Sequence, residues 1–284
     1  MSALFVNNLT VIDCSYLDDE LGLVGESWIV DLVLHGDLDD QGMVFDFGHV
    51  KKAVKAAIDD QIDHKLLIPS RSSRLDITGF DNGTEVRFHY GSDDAPQPII
   101  HRSPDDALCR LPAESVTVEA VAGYARWCVQ KVVPKNVKAV EISLRTEVVD
   151  GAWYRYSHGL EKHDGNCQRI AHGHRSALHI LLDGQRDALQ EQNWASHWQD
   201  IYIATRSHLS GEREQSGVSC YHFSYEAQQG WFELTLPKAR CALIETDSTV
   251  EWIAEHIRNT VQERLPDQKV QVRAFEGVQK GALA

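Results

Sequence analysis

Positive charge is scarce and dispersed in this chain. Lysine and arginine number 28 against 42 acidic residues, a formal net charge of −14. No basic block interrupts the sequence, which argues against a nucleic-acid-binding surface. Any anionic substrate therefore needs a local basic patch set against the overall field. Long apolar runs are also missing; none approaches the roughly 20 residues of a membrane-spanning helix. The opening residues, Met-Ser-Ala-Leu-Phe-Val-Asn-Asn, lack the basic stretch and following apolar segment of an export signal. Six cysteines, Cys14, Cys109, Cys128, Cys167, Cys220 and Cys241, are scattered without a Cys-x-x-Cys pair. That usage predicts reduced thiols in a cytoplasmic setting. What is present suits a soluble globular protein: 43% hydrophobic and 25% charged residues over 284 positions, enough for two ordinary domains or one large one.

Histidines carry the strongest chemical signal. Tyr154–His158 is a strand-like run ending in Ser157-His158, and His172-Gly173-His174 opens a second, with Cys167 between them. Side chains two apart on a strand share a face, so His172 and His174 converge and His158 adds a third imidazole if the strands pair. Three neutral imidazoles with a fourth position open is the catalytic form of a zinc site, not the closed structural form. Against this stands the ordinary histidine, exposed or satisfied by a hydrogen bond.

Self-comparison shows an internal duplication. Leu23–Gly36 lies over Ala171–Gly184 without a gap, and the apolar alternation and two glycines coincide. Downstream, Ser115–Ala122 matches Asp247–Ala254, each opening a helix with a Ser or Thr ahead of Glu119 or Glu251 in a capping-box pattern. Each helix leads to an alternating strand: Val140, Ile142, Leu144 in the first copy, Val270, Val272, Ala274 in the second. The expectation is two copies of strand, strand, helix, variable insert, helix, strand, covering 1–150 and 151–284. At the places of His172 and His174 the first copy carries Val24 and Glu26, and near that of His158 it offers Asn8 and Leu9. The first copy instead holds Gly42–Phe47, an amphipathic helix from Gly48 to about Gln61, and Asp63-His64; in the second only Ser207-His208-Leu209 is faintly similar. The copies read as complementary, each holding part of one site.

Tyr156-Ser157-His158, Cys167 ahead of His172-Gly173-His174, Gly42–Phe47, Asp63-His64, the Thr-x-Glu helix starts and Glu276 together resemble the 6-pyruvoyl-tetrahydropterin synthase and 6-carboxytetrahydropterin synthase family. The resemblance implies an α+β architecture of two tandem tunnelling-fold modules. Each would be an antiparallel four-stranded sheet with two helices on one face, assembling into a barrel as a homo-oligomer, a dimer or stacked dimers. It implies a zinc-dependent lyase converting 7,8-dihydroneopterin triphosphate to 6-carboxy-5,6,7,8-tetrahydropterin on the deazapurine (queuosine) route, or to a 6-pyruvoyl product. The alternatives are a lyase acting on unphosphorylated dihydropterins and an inactive zinc- or pterin-binding assembly module.

The resemblance also distributes roles. His158, His172 and His174 hold zinc, Cys167 is the general base, and Asp63 with His64 forms a second proton relay. Glu276 anchors the pterin ring, because it continues the phase of Val270, Val272 and Ala274 whereas Glu147 falls out of phase with Val140, Ile142 and Leu144. Thr249 and Glu251, or Thr117 and Glu119, assist at the pocket edge or merely cap helices. Arg169, Arg175, Lys65 and Lys280 are the candidates for a triphosphate.

Overall fold

The computed structural model describes residues 2–284. In chain order the first half contains β1 (Ser2–Asp18), β2 (Gly22–Gly36), α1 (Phe47–Gln61), β3 (Leu66–Pro69), β4 (Leu75–Phe80), β5 (Gly83–Tyr90), β6 (Gln97–Ser103), β7 (Leu108–Leu111), α2 (Val118–Gln130) and β8 (Val137–Arg145). The second half repeats the plan with β9 (Trp153–His158), β10 (His172–Leu182), β11 (Gln185–Arg186), α3 (Ala188–His197), β12 (Ile201–Thr205), β13 (Leu209–Gln215), β14 (Val218–Ala227), β15 (Gly230–Pro237), β16 (Cys241–Ile244), α4 (Val250–Arg264), β17 (Val270–Phe275) and β18 (Gly281–Leu283).

These elements build three sheets. The first has the order β7-β3-β1-β2-β8, the second runs β16-β12-β9-β10-β17-β18 with β11 beside β10, and the third is β13-β14-β15-β6-β5-β4. The four-stranded antiparallel sheet expected for each half is too simple. In the first sheet β3 lies parallel to β1 and β7 parallel to β3, and β12 and β16 repeat this beside β9. The third sheet comes from the inserts between the helices of each half, whose alternation (Val86, Phe88, Tyr90; Phe232, Leu234, Leu236) buries one face. Its two halves join where β15 pairs with β6.

The helices cover the sheets through stripes at helical spacing. Val50, Val54 and Ile58 of α1 and Val121, Ala125 and Val129 of α2 enter the first core; Ile253, Ala254, Ile257 and Val261 of α4 enter another against Ile180 and Val272. Thr117 caps α2 by accepting a hydrogen bond from Ala120 N–H, as the capping pattern predicts. Thr249, in the matching place before α4, makes no such bond.

The halves meet back to back at their first hairpins. Ser15 pairs with Gly25 and Ser157 with Gly173, and the Ser15 and Ser157 hydroxyls are 2.7 Å apart. Only glycine fits here: a Cβ on Gly25 would strike Tyr156 O, and one on Gly173 would strike Gly25 Cα.

Candidate functional site

The pairing of β9 with β10 sets His172 opposite His158 and His174 opposite Tyr156. All three histidines are at most 1% exposed, with one ring nitrogen of each within 4.8 Å of the others. Two are fixed from behind. His158 Nδ1 lies 2.9 Å from Ser248 O, and His172 Nδ1 lies 2.9 Å from Arg169 O. A ring that donates through Nδ1 leaves Nε2 as a bare lone pair. Those two Nε2 atoms and both nitrogens of His174 are buried without a hydrogen-bond partner among the described residues. Burial, with charge on neighbouring histidines second, pushes His158 and His172 well below the usual histidine range. Neutral, convergent and unpaired imidazoles are costly in an apolar site but are the form that ligates metal. The residues fit a divalent ion with a position left open.

The first half supplies the neighbouring group. His64 has φ 53° at the turn between α1 and β3, and its ring stacks on His172 with centroids 5.2 Å apart. Asp63 Oδ2 is 2.7 Å from His64 Nδ1, while Asp63 Oδ1 accepts from Asp13 N–H at 2.8 Å. Cys167 Sγ, a His64 nitrogen and a His172 nitrogen lie within 4.8 Å of one another. Burial pulls the His64 pKa down, but the Asp63 carboxylate and Cys167 outweigh it and raise the ring to about 10. The expected Cys167, Asp63 and His64 are therefore brought together, across the halves and within one chain.

The loop carrying Cys167 is tied to the β14–β15 turn. Gln229 N–H donates to Gln168 Oε1 at 2.6 Å, Gln229 Nε2 to Asn166 Oδ1 at 2.8 Å, and Arg169 Nε to Gln229 Oε1 at 3.0 Å. Tyr225 Oη adds a bond to Gln168 O at 2.8 Å.

Glu276 also arrives, with Oε1 4.0 Å from His174 Nε2. Thr249 and Glu251 do not: neither joins the histidines by a hydrogen bond or ion pair among the described residues. The adjacent Ser248 is the residue turned inward. Among the cations, Lys65 and Arg169 are each 6% exposed, and Arg169 Nη1 is 3.4 Å from His64 O. Neither makes an ion pair with a carboxylate among the described residues. Arg175 is engaged by Glu147 O and lies over Trp153, and Lys280 by Asp13.

The 6-pyruvoyl tetrahydropterin synthase family model matches this chain twice, over residues 22–157 and 147–282. The chain belongs to the 6-pyruvoyl tetrahydropterin synthase family. A Methanocaldococcus jannaschii protein named "Putative 6-carboxy-5,6,7,8-tetrahydropterin synthase" is 30% identical over 136 residues, 46% of this chain and 78% of that one. Two solved 6-pyruvoyl tetrahydropterin synthases, from Plasmodium vivax and Plasmodium falciparum, each share 20% identity at a TM-score of 0.40, covering 50% of this chain and 90% of theirs.

Two family domains in one chain allow the site to be compared with its internal mate. The strand registers put Tyr16 in the place of His158, Val24 in that of His172 and Glu26 in that of His174. Tyr16, not Asn8 or Leu9, is thus the counterpart of His158; 13 residues separate His158 from His172 but only 7 separate Tyr16 from Val24, so an ungapped overlay of the halves misplaces it. Leu66 faces Ser15 as Tyr202 faces Ser157, so two residues earlier His64 corresponds to Asp200, with φ 53° and 58°. The Ser207-His208 similarity is therefore misplaced, and His208 instead meets Glu161 at 3.1 Å. Where the candidate site has histidines, its mate has an ion network: Arg155 Nη2 donates to Asp200 Oδ2 at 3.1 Å and approaches Glu26 at 4.0 Å.

Proposed function

We propose that this family member is a zinc-dependent lyase that converts 7,8-dihydroneopterin triphosphate and water to 6-carboxy-5,6,7,8-tetrahydropterin, releasing triphosphate and the two outer side-chain carbons as a two-carbon aldehyde. The observation that carries the reading is the convergence of three buried, unpaired imidazoles from the second half with Asp63-His64 from the first.

His158, His172 and His174 would hold the zinc, which as a Lewis acid on the side-chain hydroxyls acidifies the adjacent C–H and O–H bonds. Cys167 takes a side-chain proton as general base. His64, kept charged by Asp63 and within 4.8 Å of Cys167, is suited to return a proton. Glu276 accepts hydrogen bonds from the pterin ring N–H and amino groups, a bidentate match for a carboxylate. Lys65 and Arg169, cations without carboxylate partners beside His64, bind the triphosphate. The relative's 6-carboxy name favours that product over a 6-pyruvoyl one, and the complete Cys167, His64, Asp63 set favours turnover over a binding module. The place of β8 at the edge of the first sheet favours a homo-oligomer that closes a barrel by pairing that edge with a further copy. A cytoplasmic location accords with the free cysteines.

The test is to load the purified chain with zinc, supply 7,8-dihydroneopterin triphosphate, and follow triphosphate release together with pterin products by mass spectrometry. Triphosphate and a carboxypterin are expected. Metal bound without triphosphate release would sink the synthase reading; a pyruvoyl product would reassign the branch.

A further inference from the structure

Asp13 is a carboxylate in the middle of an apolar strand, its side chain 4% exposed, and nothing in the sequence gives it a task. Its contacts do. Asp13 N–H donates to Asp63 Oδ1 at 2.8 Å and Asp13 O accepts from His64 N–H at 2.7 Å, so its backbone holds the relay pair. Its side chain points the other way, into the second half. Oδ1 accepts from the Ser27 hydroxyl and lies 3.2 Å from His174 Nδ1; Oδ2 lies 3.3 Å from Lys280 Nζ. Room for that carboxylate is built in. Gly277, at φ +68°, closes over it, and a Cβ there would meet Asp13 Oδ1 at 2.5 Å and Ser27 Oγ at 3.0 Å.

We propose that Asp13 is the positioning residue for His174, a carboxylate lent by one half to orient a metal ligand of the other. The inference rests on the metal reading above. His158 and His172 have their Nδ1 atoms fixed by backbone carbonyls of their own half. His174 has no such carbonyl; Asp13 is the acceptor facing its Nδ1. The contact is within 3.2 Å but falls short of good hydrogen-bond direction. An Nδ1–H held by a carboxylate leaves Nε2 bare toward the other two rings, fixes the ring plane and makes it a stronger donor.

The test is zinc affinity, measured by competition with a chromophoric chelator on wild type, Asp13→Asn and Gly277→Ala. Thermal melts of the zinc-free proteins and histidine side-chain ¹⁵N spectra accompany it. Wild type is expected to bind about one zinc per chain. Asp13→Asn keeps the shape, loses the charge, and is expected to bind zinc about 10- to 100-fold more weakly. Gly277→Ala displaces the carboxylate without altering any charge and should weaken binding in the same direction. A wild type that binds no zinc would overturn the metal reading. Tight wild-type binding matched by both variants would overturn the role of Asp13, as would a lower zinc-free melting temperature with affinity unchanged. If both variants fail to fold, the wild-type spectrum decides: His174 protonated at Nδ1 supports the assignment, and His174 protonated at Nε2 overturns it.

Discussion

The hydroxyls of Ser15 and Ser157 touch at 2.7 Å, and each belongs to the same position of its own half. They mark a local two-fold relationship within a single polypeptide. On either side of it the halves approach so closely that Gly25 and Gly173 face each other without side chains. Gly173→Ala and Gly25→Ala are expected to destabilise the fold by about 1–3 kcal/mol through overpacking against backbone. Gly79→Ala, which meets nothing within 4 Å, should stay within about 0.5 kcal/mol of wild type. Urea unfolding monitored by tryptophan fluorescence checks all three.

Removal of the thiol separates chemistry from metal binding. Cys167→Ala is expected to lower kcat by about 10²- to 10⁴-fold while zinc content stays at the wild-type level. Unchanged turnover would remove Cys167 from the role of base and leave the enzyme class standing.

Lys65 is nearly buried, yet it lies beside Arg169 and forms no ion pair with a carboxylate among the described residues. Burial lowers the pKa of both below their ordinary values, and for Lys65 the nearby guanidinium is the second cause. Lys65→Met should raise KM for the triphosphate substrate about 10- to 100-fold, the loss of a charge-assisted hydrogen bond. Against unphosphorylated dihydroneopterin the same variant should behave as wild type. Equal effects on the two substrates would place the triphosphate elsewhere.

Glu26 predicts a pH effect on stability. Burial raises its carboxyl from 4.5 to about 7, more than the Ser27 N–H and the charge of Arg155 pull it back. Between those values the folded state keeps a proton that the unfolded chain has released. Stability from this group is therefore present below pH 4.5 and lost as pH rises toward 7, on the order of 1–3 kcal/mol. Glu26→Gln should flatten that decline in urea midpoints measured across the window.

His101 acts with the opposite sign. It is 1% exposed in the core under the third sheet, its Nδ1 has no partner, and burial alone lowers its pKa to about 3. The unfolded chain takes up a proton below pH 6.5 that the folded state refuses until about 3. Stability is thus expected to fall as pH drops through that window, and His101→Leu should be less acid-sensitive than wild type in melts at pH 4 against pH 7.

The three-histidine cluster was legible because a strand's period of two projects His172 and His174 to one face, and the duplication showed which half carries it. Asp63-His64 was legible as a motif, but its partner Cys167 lies 103 positions away in sequence, and only the back-to-back packing joins them. Asp13, Ser27 and Ser248 reach the histidine cluster only through contacts that folding creates, and an isolated polar residue carries no periodicity to reveal them. A buried carboxylate between Ile12 and Cys14 was the available signal. The third sheet was missed because the inserts differ between the halves, so self-comparison passed over the alternation inside them.

The strand pair β6–β15 has a consequence for how the halves can vary. In an assembly of identical subunits every substitution is entered twice, once on each side of the axis, and a change that suits one site is imposed on the other. Here one continuous chain fixes which half meets which. Position 155 can be an arginine while its counterpart, position 13, is an aspartate, and neither choice constrains the other. The molecule keeps a two-fold contact geometry while its two faces are free to diverge, one into a histidine cluster and one into an ion network.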